Sequence, residues 1–342
     1  PSVAISYFVL IISVITALYG ILYAVTQFDM KRLLAYSSIE NIGIIGIGMG
    51  VGMLGLAYNS IPVAVLGFGG CILHILNHSI FKELMFFAAG SVYNKTHTRN
   101  IEVLGGLLKS MPKTAALCLI GSVAICGLPP FNGFISEFLI YFGMLKGALV
   151  DNLGMLIISI LALAGLALVG TMAILCFTKL FSIAFLGLPR SEHAENVKED
   201  VVSSMIFPMG CLALLTLLVG LFPQFVFELF SKPVSIFTGA IEVPSIINLL
   251  QTISFTAFGL LVFIFVLAVW KKLAGKKSAS HETWGCGYDK PNNHIQYTAS
   301  SYASPFLSML TPLFKKVFDI KKPKELFPKD AHFCLKIEDV EE

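Results

Sequence analysis

The sequence predicts an all-α integral membrane protein, a polytopic bundle of about seven spans in which one helix is broken inside the bilayer. Hydrophobic residues make up 56% of the 342 residues and charged residues only 13%, whereas a soluble domain carries about one quarter charged residues. Charge is also uneven, because residues 1–272 hold few charged side chains and residues 273–342 hold many. We therefore expect a membrane domain at 1–272 and a soluble C-terminal tail at 273–342.

Eight apolar segments give the predicted helices in chain order. Most are long enough to cross a bilayer, which takes about 20 residues. The segments are Val3 to Val25, Leu33 to Leu56, Pro62 to Tyr93, Lys113 to Leu128, Phe131 to Leu149, Leu153 to Gly187, Val201 to Phe222 and Ile246 to Trp270.

The basic residues of the connections predict which segments cross. They gather around residues 31–32, 95–113 and 190–198, and again after the last segment, while the connections between these are nearly uncharged. By the positive-inside rule the basic connections are cytoplasmic, and so is the tail. Residues 113–187 must then cross an even number of times, although they contain three apolar pieces. One junction is therefore a break inside the bilayer, either Leu128 to Gly133 (LPPFNG) or Lys146 to Asn152 (KGALVDN).

Composition also excludes several classes of function. The net charge is only +3 and the basic residues flank apolar segments, so we predict no nucleic-acid partner. The seven cysteines form no CxxC pair, which predicts neither a zinc site nor a disulfide framework. Because the chain begins with Pro1 and enters an apolar run without the basic region of a signal peptide, we expect it to be the interior of a longer protein.

Ionisable residues inside apolar segments are the candidate functional residues, since burying them in a membrane is costly. His74, His78 and Lys82 are spaced four apart, which places them on one helix face about 6 Å apart per step. Two histidines at this spacing could ligate a metal, could be core histidines satisfied by hydrogen bonds, or could relay protons. We favour the proton relay, because no third ligand lies at a usable spacing.

Five further ionisable residues lie in or near the apolar segments. Glu137 follows the proline–glycine junction, and Glu40 lies seven residues into the second segment. Lys31 precedes that segment and could equally be an anchor at the membrane surface. Lys146 and Lys179 are near segment ends, where lysines usually extend toward the interface. These residues indicate a channel, a transporter or a subunit of an ion-pumping complex.

Four motifs carry a resemblance to a known family: DMKRLLAYSSIENIG (29–43), HILNHSIFKELMFFAAGS (74–91), HTRNIEVLGGL (97–107) and LPPFNGFISEFL (128–139). Through them the chain resembles the antiporter-like subunits shared by respiratory complex I, Mrp-type sodium/proton antiporters and energy-converting hydrogenases. Within that family, four stretches resemble the large antiporter-like subunit of hydrogenase-4 and formate hydrogenlyase: SSIENIG (37–43), GLPPFNGFISE (127–137) and the tail motifs ETWGCGY (282–288) and QYTASSYASP (296–305).

The resemblance implies a role for each candidate residue. The chain would be the second of two inverted repeats, with the first half-channel upstream of residue 1. Lys31 would connect the half-channels, His74, His78 and Lys82 would form the relay, and Glu137 would be the terminal ionisable group. Glu40 is an additional candidate. The resemblance also favours Lys146 to Asn152 as the break, with Glu137 on the preceding half-helix.

The resemblance implies a non-redox, proton- or sodium-translocating subunit of the cell (inner) membrane, surrounded by lipid and by hydrogenase or other oxidoreductase subunits. No cofactor is expected, because the chain has no cysteine cluster for iron–sulfur or nickel and no GxGxxG after a strand. Redox chemistry would then belong to the partner subunits. Two alternatives remain: an Mrp-type sodium/proton antiporter subunit or complex I subunit, and a purely structural membrane anchor.

Overall fold

A computed structural model describes residues 1–239, 243–275, 295–309, 316–321 and 332–337, and helices dominate it. The helices are α1 (Val3–Thr26), α2 (Met30–Ala57), α3 (Ile61–Thr96), α4 (Leu107–Ser110), α5 (Pro112–Ile125), α6 (Asn132–Ala148), α7 (Leu153–Phe185), α8 (Glu192–Glu195), α9 (Ser203–Leu221), α10 (Pro223–Thr238), α11 (Val243–Leu273) and α12 (Ala299–Met309). In the tail, β1 (Lys316–Lys321) and β2 (His332–Ile337) pair antiparallel.

Polar caps and prolines start the helices. Asp29 accepts hydrogen bonds from the backbone amides of Lys31 and Arg32 at the start of α2, and Asn152 accepts one from Met155 at the start of α7. Proline occupies the first turn of α3, α5 and α10, where its missing amide hydrogen costs nothing. Short turns, at which capping side chains or prolines account for the backbone amides, thus divide the apolar runs into helices.

The helix ends divide into two groups, which we call the basic end and the opposite end. At the basic end, Asp29 forms an ion pair with Arg99 at 3.1 Å, and Asp200 accepts from the amide of Lys113 at 2.9 Å. At the opposite end, the hydroxyls of Tyr7 and Tyr58 lie 2.8 Å apart. The three basic connections therefore lie on one side of the bundle, as the predicted topology requires.

The short helices α5 and α6 lie end to end along α3. A Cβ atom on Gly121 of α5 would meet Met85 of α3, whereas one on Gly143 of α6 would meet Leu66. The contacts thus move toward lower residue numbers along α3 as the chain proceeds from α5 into α6. This pattern is that of a single crossing that runs antiparallel to α3. With 14 and 17 residues, neither helix reaches the length of about 20 residues that a crossing takes. Together they form one broken helix, interrupted at residues 126–131.

This position corrects the expectation drawn from the resemblance. The junction Lys146 to Asn152 is the turn between α6 and α7 at the opposite end, where a Cβ on Gly154 would touch Tyr7. The break lies instead at LPPFNG, because consecutive prolines remove two backbone donors there. Among the described residues, six helices are long and apolar enough to span a membrane. With the α5–α6 pair they give seven crossings, which confirms the predicted number.

Glycines bring three helices of the bundle into close contact. On one face of α2, glycines pack against α1, and on another face glycines pack against α3. Added Cβ atoms at these positions would all lie closer than ordinary van der Waals contact: 2.4 Å from Ala17 at Gly43, 2.3 Å from Ser13 at Gly46, 2.9 Å from Leu10 at Gly50, 3.1 Å from Cys71 at Gly48, 2.7 Å from Phe68 at Gly52 and 2.3 Å from Ala64 at Gly55.

Helix α9 packs against the break. A Cβ atom on Gly220 would lie 2.0 Å from the carbonyl oxygen of Pro130, so only glycine allows this approach. Backbone that is not helical inside a membrane must be covered by protein or line a cavity. The end of α9 provides such cover for residues 130–131.

Part of the tail contacts the basic end. Ser300 donates from its amide and its hydroxyl to the carboxylate of Glu102, at 3.2 and 2.7 Å. Arg190 donates to the carbonyl oxygen of Tyr297 at 3.0 Å. We also expect Trp284 and Tyr288 to take part in docking the tail on the complex, but both lie outside the described residues.

Candidate functional site

Ten polar side chains from α2, α3 and α6 meet in the interior of the bundle, and we call them the central polar cluster. Each helix contributes a set spaced three or four residues apart, so each set lies on one helix face. The members are Ser37, Glu40 and Asn41 of α2, His74, Asn77, His78 and Lys82 of α3, and Asn132, Ser136 and Glu137 of α6. Every member except His78 is buried.

Lys82 is the cation of the cluster. Its ammonium group donates a hydrogen bond to the hydroxyl of Ser37, one helix away. Glu40 lies one turn further along α2, close enough for electrostatic attraction to Lys82. Because exposed surface is only 6% for Lys82 and 1% for Glu40, this attraction is weakly screened by solvent.

Glu137 adds a second buried carboxylate beside the break. A Cβ atom on Gly127 would lie 2.7 Å from both of its carboxylate oxygens, and Gly127 has a φ of +61°. A glycine is therefore required there for both the backbone conformation and the space. Glu137 also lies within electrostatic range of Glu40, so the cluster contains two neighbouring carboxyl groups.

His74 is hydrogen-bonded on both ring nitrogens. Its Nδ1 lies 2.8 Å from the hydroxyl of Ser136, and its Nε2 lies 3.1 Å from the side-chain oxygen of Asn41. These contacts leave neither nitrogen free for a metal ion. Within the described part of the chain, no three His, Cys, Asp or Glu side chains are arranged to hold a metal.

Two asparagines fasten α3 to the start of α6 at the break. Asn77 donates from its side-chain amide to the carbonyl oxygen of Asn132 at 2.8 Å and to the hydroxyl of Ser136 at 2.9 Å. Asn132 donates in return to the carbonyl oxygen of Asn77 at 3.3 Å. The second half of the broken helix is thus held in register with His74.

Several atoms of the cluster are buried and make no hydrogen bond to the protein. A buried polar atom without a protein partner is costly unless water satisfies it. Five such side-chain atoms occur among the described residues, and four of them belong to the cluster: Glu40 Oε2, Asn77 Oδ1, His78 Nε2 and Asn132 Oδ1. His78 otherwise packs edge-on against the ring of Phe81.

Lys31 does not join the cluster. It lies at the basic end, half-buried, with its ammonium group 5.7 Å from the centre of the Tyr93 ring. A cavity of about 580 Å³ opens beside it, lined also by the ion-paired Asp29 and Arg99. The structure therefore brings together His74, His78, Lys82, Glu137 and Glu40, and places Lys31 apart from them.

Lys179 is a buried cation whose environment the sequence did not indicate. We expected it to extend toward the membrane surface, but it is fully buried. Its ammonium group donates to the carbonyl oxygens of Val25 and Gln27, at the C-terminal end of α1. A cation at a helix C-terminus satisfies unpaired carbonyls and interacts favourably with the helix dipole.

The uncharged members of the cluster were also missed by the sequence analysis, which considered only ionisable residues. Ser37, Asn41, Asn77 and Ser136 each lie within four residues of an ionisable residue on the same helix. Polar side chains at helical spacing from a buried charge, inside an otherwise apolar run, would have been the signal.

A known protein family matches the first part of the chain. Residues 1–164 match the family described as NADH:quinone oxidoreductase/Mrp antiporter, transmembrane. The resemblance found in the four sequence motifs is thereby confirmed for this antiporter-like domain.

Two curated relatives extend the likeness over most of the chain. The chain is 37% identical to hydrogenase-4 component B of Escherichia coli (strain K12) over 320 residues, covering 90% of this chain and 47% of the relative. It is 35% identical to formate hydrogenlyase subunit 3 of the same strain, covering 90% of this chain and 50% of the relative. The chain thus spans about half the length of the curated relatives it matches.

A solved structure supports the fold of the antiporter-like domain. The chain superposes on a subunit of the membrane-bound sulfane sulfur reductase, an archaeal respiratory membrane complex, with a TM-score of 0.70 and 21% identity. The match covers 90% of this chain and 48% of that one. The polytopic, antiporter-like architecture predicted from the sequence is confirmed.

Proposed function

We propose that the chain is the second half of an ion-translocating membrane subunit of an energy-converting hydrogenase or formate hydrogenlyase-type complex. In this proposal, partner subunits carry out the redox chemistry and the central polar cluster moves protons. The relatives named hydrogenase-4 component B and formate hydrogenlyase subunit 3 support this branch of the family.

One observation carries the proposal: four of the five buried polar atoms without a protein partner, among the described residues, lie on the cluster. Such atoms can bind water, and water is what links titratable side chains into a proton path. Lys82, His74 and His78 can each hold or release a proton, and so can the carboxyl groups of Glu40 and Glu137.

Two members of the cluster, Lys82 and His74, favour protons over sodium as the transported ion. A lysine ammonium has three donors and no acceptor, so Lys82 offers no ligand to a metal cation. His74 has both nitrogens engaged by Asn41 and Ser136. The side chains at the centre of the cluster are therefore suited to exchanging protons.

In this proposal the protein lies in the cell (inner) membrane with its basic end and tail in the cytoplasm. The clustering of Lys95, Arg99, Lys109 and Arg190 at one end supports this orientation. A reporter fused after Gly275 should report a cytoplasmic location. A periplasmic signal would contradict the proposed orientation.

A second candidate function is that of a sodium/proton antiporter component. The chain is 32% identical over 220 residues to one of the Na(+)/H(+) antiporter subunits of Alkalihalophilus pseudofirmus, covering 64% of this chain and 40% of that relative. In this case ion exchange would not require a redox reaction. Ion flux that persists in vesicles without hydrogen, formate or another electron donor would favour it.

The test of the first proposal uses the full-length protein in its complex, reconstituted in sealed vesicles. Lys82→Ala and Glu137→Ala should each abolish proton translocation, while the complex assembles and its soluble redox site still turns over. Lys146→Ala is the matched control, because Lys146 is an exposed lysine of α6 that packs on Phe142. Translocation at the parental rate in both cluster variants would leave the chain as a structural anchor.

A further inference from the structure

Hydrogen-bond directions around His74 determine which of its nitrogens carries hydrogen. Asn41 donates from its side-chain amide to the carbonyl oxygen of Ser37 at 2.7 Å. This bond fixes the orientation of the Asn41 side chain, because a flipped amide would place two oxygens in contact. The atom that Asn41 presents to His74 is therefore Oδ1, which can only accept. Since His74 Nε2 lies 3.1 Å from it, Nε2 must carry a hydrogen.

On the other side of the ring, the hydroxyl of Ser136 can serve either protonation state of Nδ1. Ser136 Oγ accepts from Asn77 at 2.9 Å and has two further neighbours, His74 Nδ1 at 2.8 Å and the carbonyl oxygen of Gly133 at 3.1 Å. With a neutral ring, the hydroxyl donates to Nδ1. With a charged ring, Nδ1 donates to the hydroxyl, which turns its hydrogen to Gly133. The single hydroxyl hydrogen is used in both states, for Nδ1 beside the neutral ring and for Gly133 beside the charged ring.

We propose that Asn41 and Ser136 are positioning residues that restrict His74 to proton exchange at Nδ1, with Ser136 as a hydroxyl switch. This inference rests on the proposed proton path. On uptake, a protonated water of the path gives its proton to Ser136 Oγ while the hydroxyl hydrogen passes from Oγ to Nδ1, so one O–H bond breaks as one O–H bond and one N–H bond form. The new hydroxyl hydrogen points to Gly133, and the Nε2–H bond is unchanged. On release the proton on Nδ1 returns to Oγ and the hydroxyl hydrogen leaves to a water of the path.

The restriction gives His74 a particular role in the path. A histidine that takes a proton on one nitrogen and releases it from the other passes protons through its ring. His74 cannot do so, because Asn41 Oδ1 accepts the Nε2 hydrogen and leads no further than the amide bonded to Ser37. His74 instead stores a charge on the side facing α6. His78 is a titratable neighbour one turn along α3.

The first test is spectroscopic. In the full-length protein within its membrane complex, 15N-labelled histidine should show His74 as the neutral Nε2–H tautomer at high pH. Because the chain has seven histidines, the signal is assigned by its loss in His74→Gln. Asn41→Leu should convert part of the signal to the Nδ1–H tautomer. An Nδ1–H tautomer in the parent protein, or an unchanged spectrum in Asn41→Leu, would overturn the inference.

The second test measures translocation in the same vesicles. Ser136→Ala should slow proton translocation about tenfold, since one hydrogen bond in the switching state is lost. Ser136→Thr keeps the hydroxyl and should stay near the parental rate. Equal rates in the two variants would refute the switch. A parent protein that shows the Nε2–H tautomer but moves no protons would instead refute the proposed function and leave the tautomer assignment intact.

Discussion

Lys82 of α3 and Lys179 of α7 are both lysines buried in apolar helices, yet their surroundings differ in kind. Lys82 donates to a serine hydroxyl and lies near the carboxylate of Glu40, and both of these partners can rotate or change charge. Lys179 donates to two backbone carbonyls, which can do neither. A buried lysine among side chains can therefore exchange its proton, whereas one that closes a helix end acts as a structural cation.

Replacing each lysine by arginine is the most direct test of this difference between Lys82 and Lys179. Lys82→Arg keeps the charge but scarcely releases a proton, so proton translocation should fall at least ~100-fold. Lys179→Arg should retain translocation, because a guanidinium can donate to the same carbonyls. The measurement is proton flux in vesicles that contain the full-length complex. An equal response of the two variants would remove the distinction.

Removing the charge tests the structural side of the comparison. Lys179→Met leaves the carbonyls of Val25 and Gln27 without a donor, which should lower the free energy of unfolding by about 1–3 kcal/mol. Lys82→Met should be better tolerated, since the Ser37 hydroxyl already donates to the carbonyl oxygen of Leu34 and keeps that bond. Thermal unfolding of the purified full-length protein in detergent measures both. A larger loss for Lys82→Met would contradict the assignment.

The rigidity of the break beside Lys82 and Glu137 can be tested at α9. Gly220→Ala would place a Cβ atom 2.0 Å from the carbonyl oxygen of Pro130, and such overpacking costs about 1–3 kcal/mol. Gly210 lies on the same helix with open space around its Cα atom. Gly210→Ala is the matched control and should be neutral or slightly stabilising. The two thermal unfolding temperatures should separate in that order.

The smallest expected effect concerns the region that extends from Lys179 to the tail. Glu102 accepts two hydrogen bonds from Ser300 and acts electrostatically on Lys179. Glu102→Ala should increase amide hydrogen exchange at residues 296–302 by at least about fivefold, because both hydrogen bonds to Ser300 are lost. Glu195→Ala, at an exposed glutamate of the same end, is the control. Unchanged exchange in Glu102→Ala would show that other contacts hold the tail.

The sequence predicted much of the fold because bilayer thickness and charge asymmetry constrain it strongly. The three basic connections were placed on one side, and this required an even number of crossings between residues 113 and 187. The position of the break was predicted less well. Hydropathy alone cannot separate a proline-rich break from a turn at the membrane surface, and only packing against α3 and Gly220 distinguishes LPPFNG from residues 146–152.

The candidate site, like the fold, was predicted only in part from the sequence. Helical spacing predicted that His74, His78 and Lys82 share a face, and apolar surroundings identified Glu40 and Glu137. Their meeting depends on contacts between helices, which no single segment encodes. Asn41 and Ser136 were missed because the role of a neutral polar residue depends on the side chain to which it is hydrogen-bonded, and the sequence does not show that partner. Lys179 was misjudged because its carbonyl partners belong to α1, more than 150 positions away along the chain.

The glycine faces of α2 have a consequence for motion. Backbone in such close contact on two sides has no room to slide, so α1, α2 and the first half of α3 should move as one rigid body. Any rearrangement during the proposed ion transfer would then occur where helices are interrupted. The two joints that meet at the cluster are residues 126–131 and the junction of α9 with α10 at Phe222. Gly220 holds these joints together, so a hinge at one would displace the other and change the distance between Glu137 and the fixed Glu40.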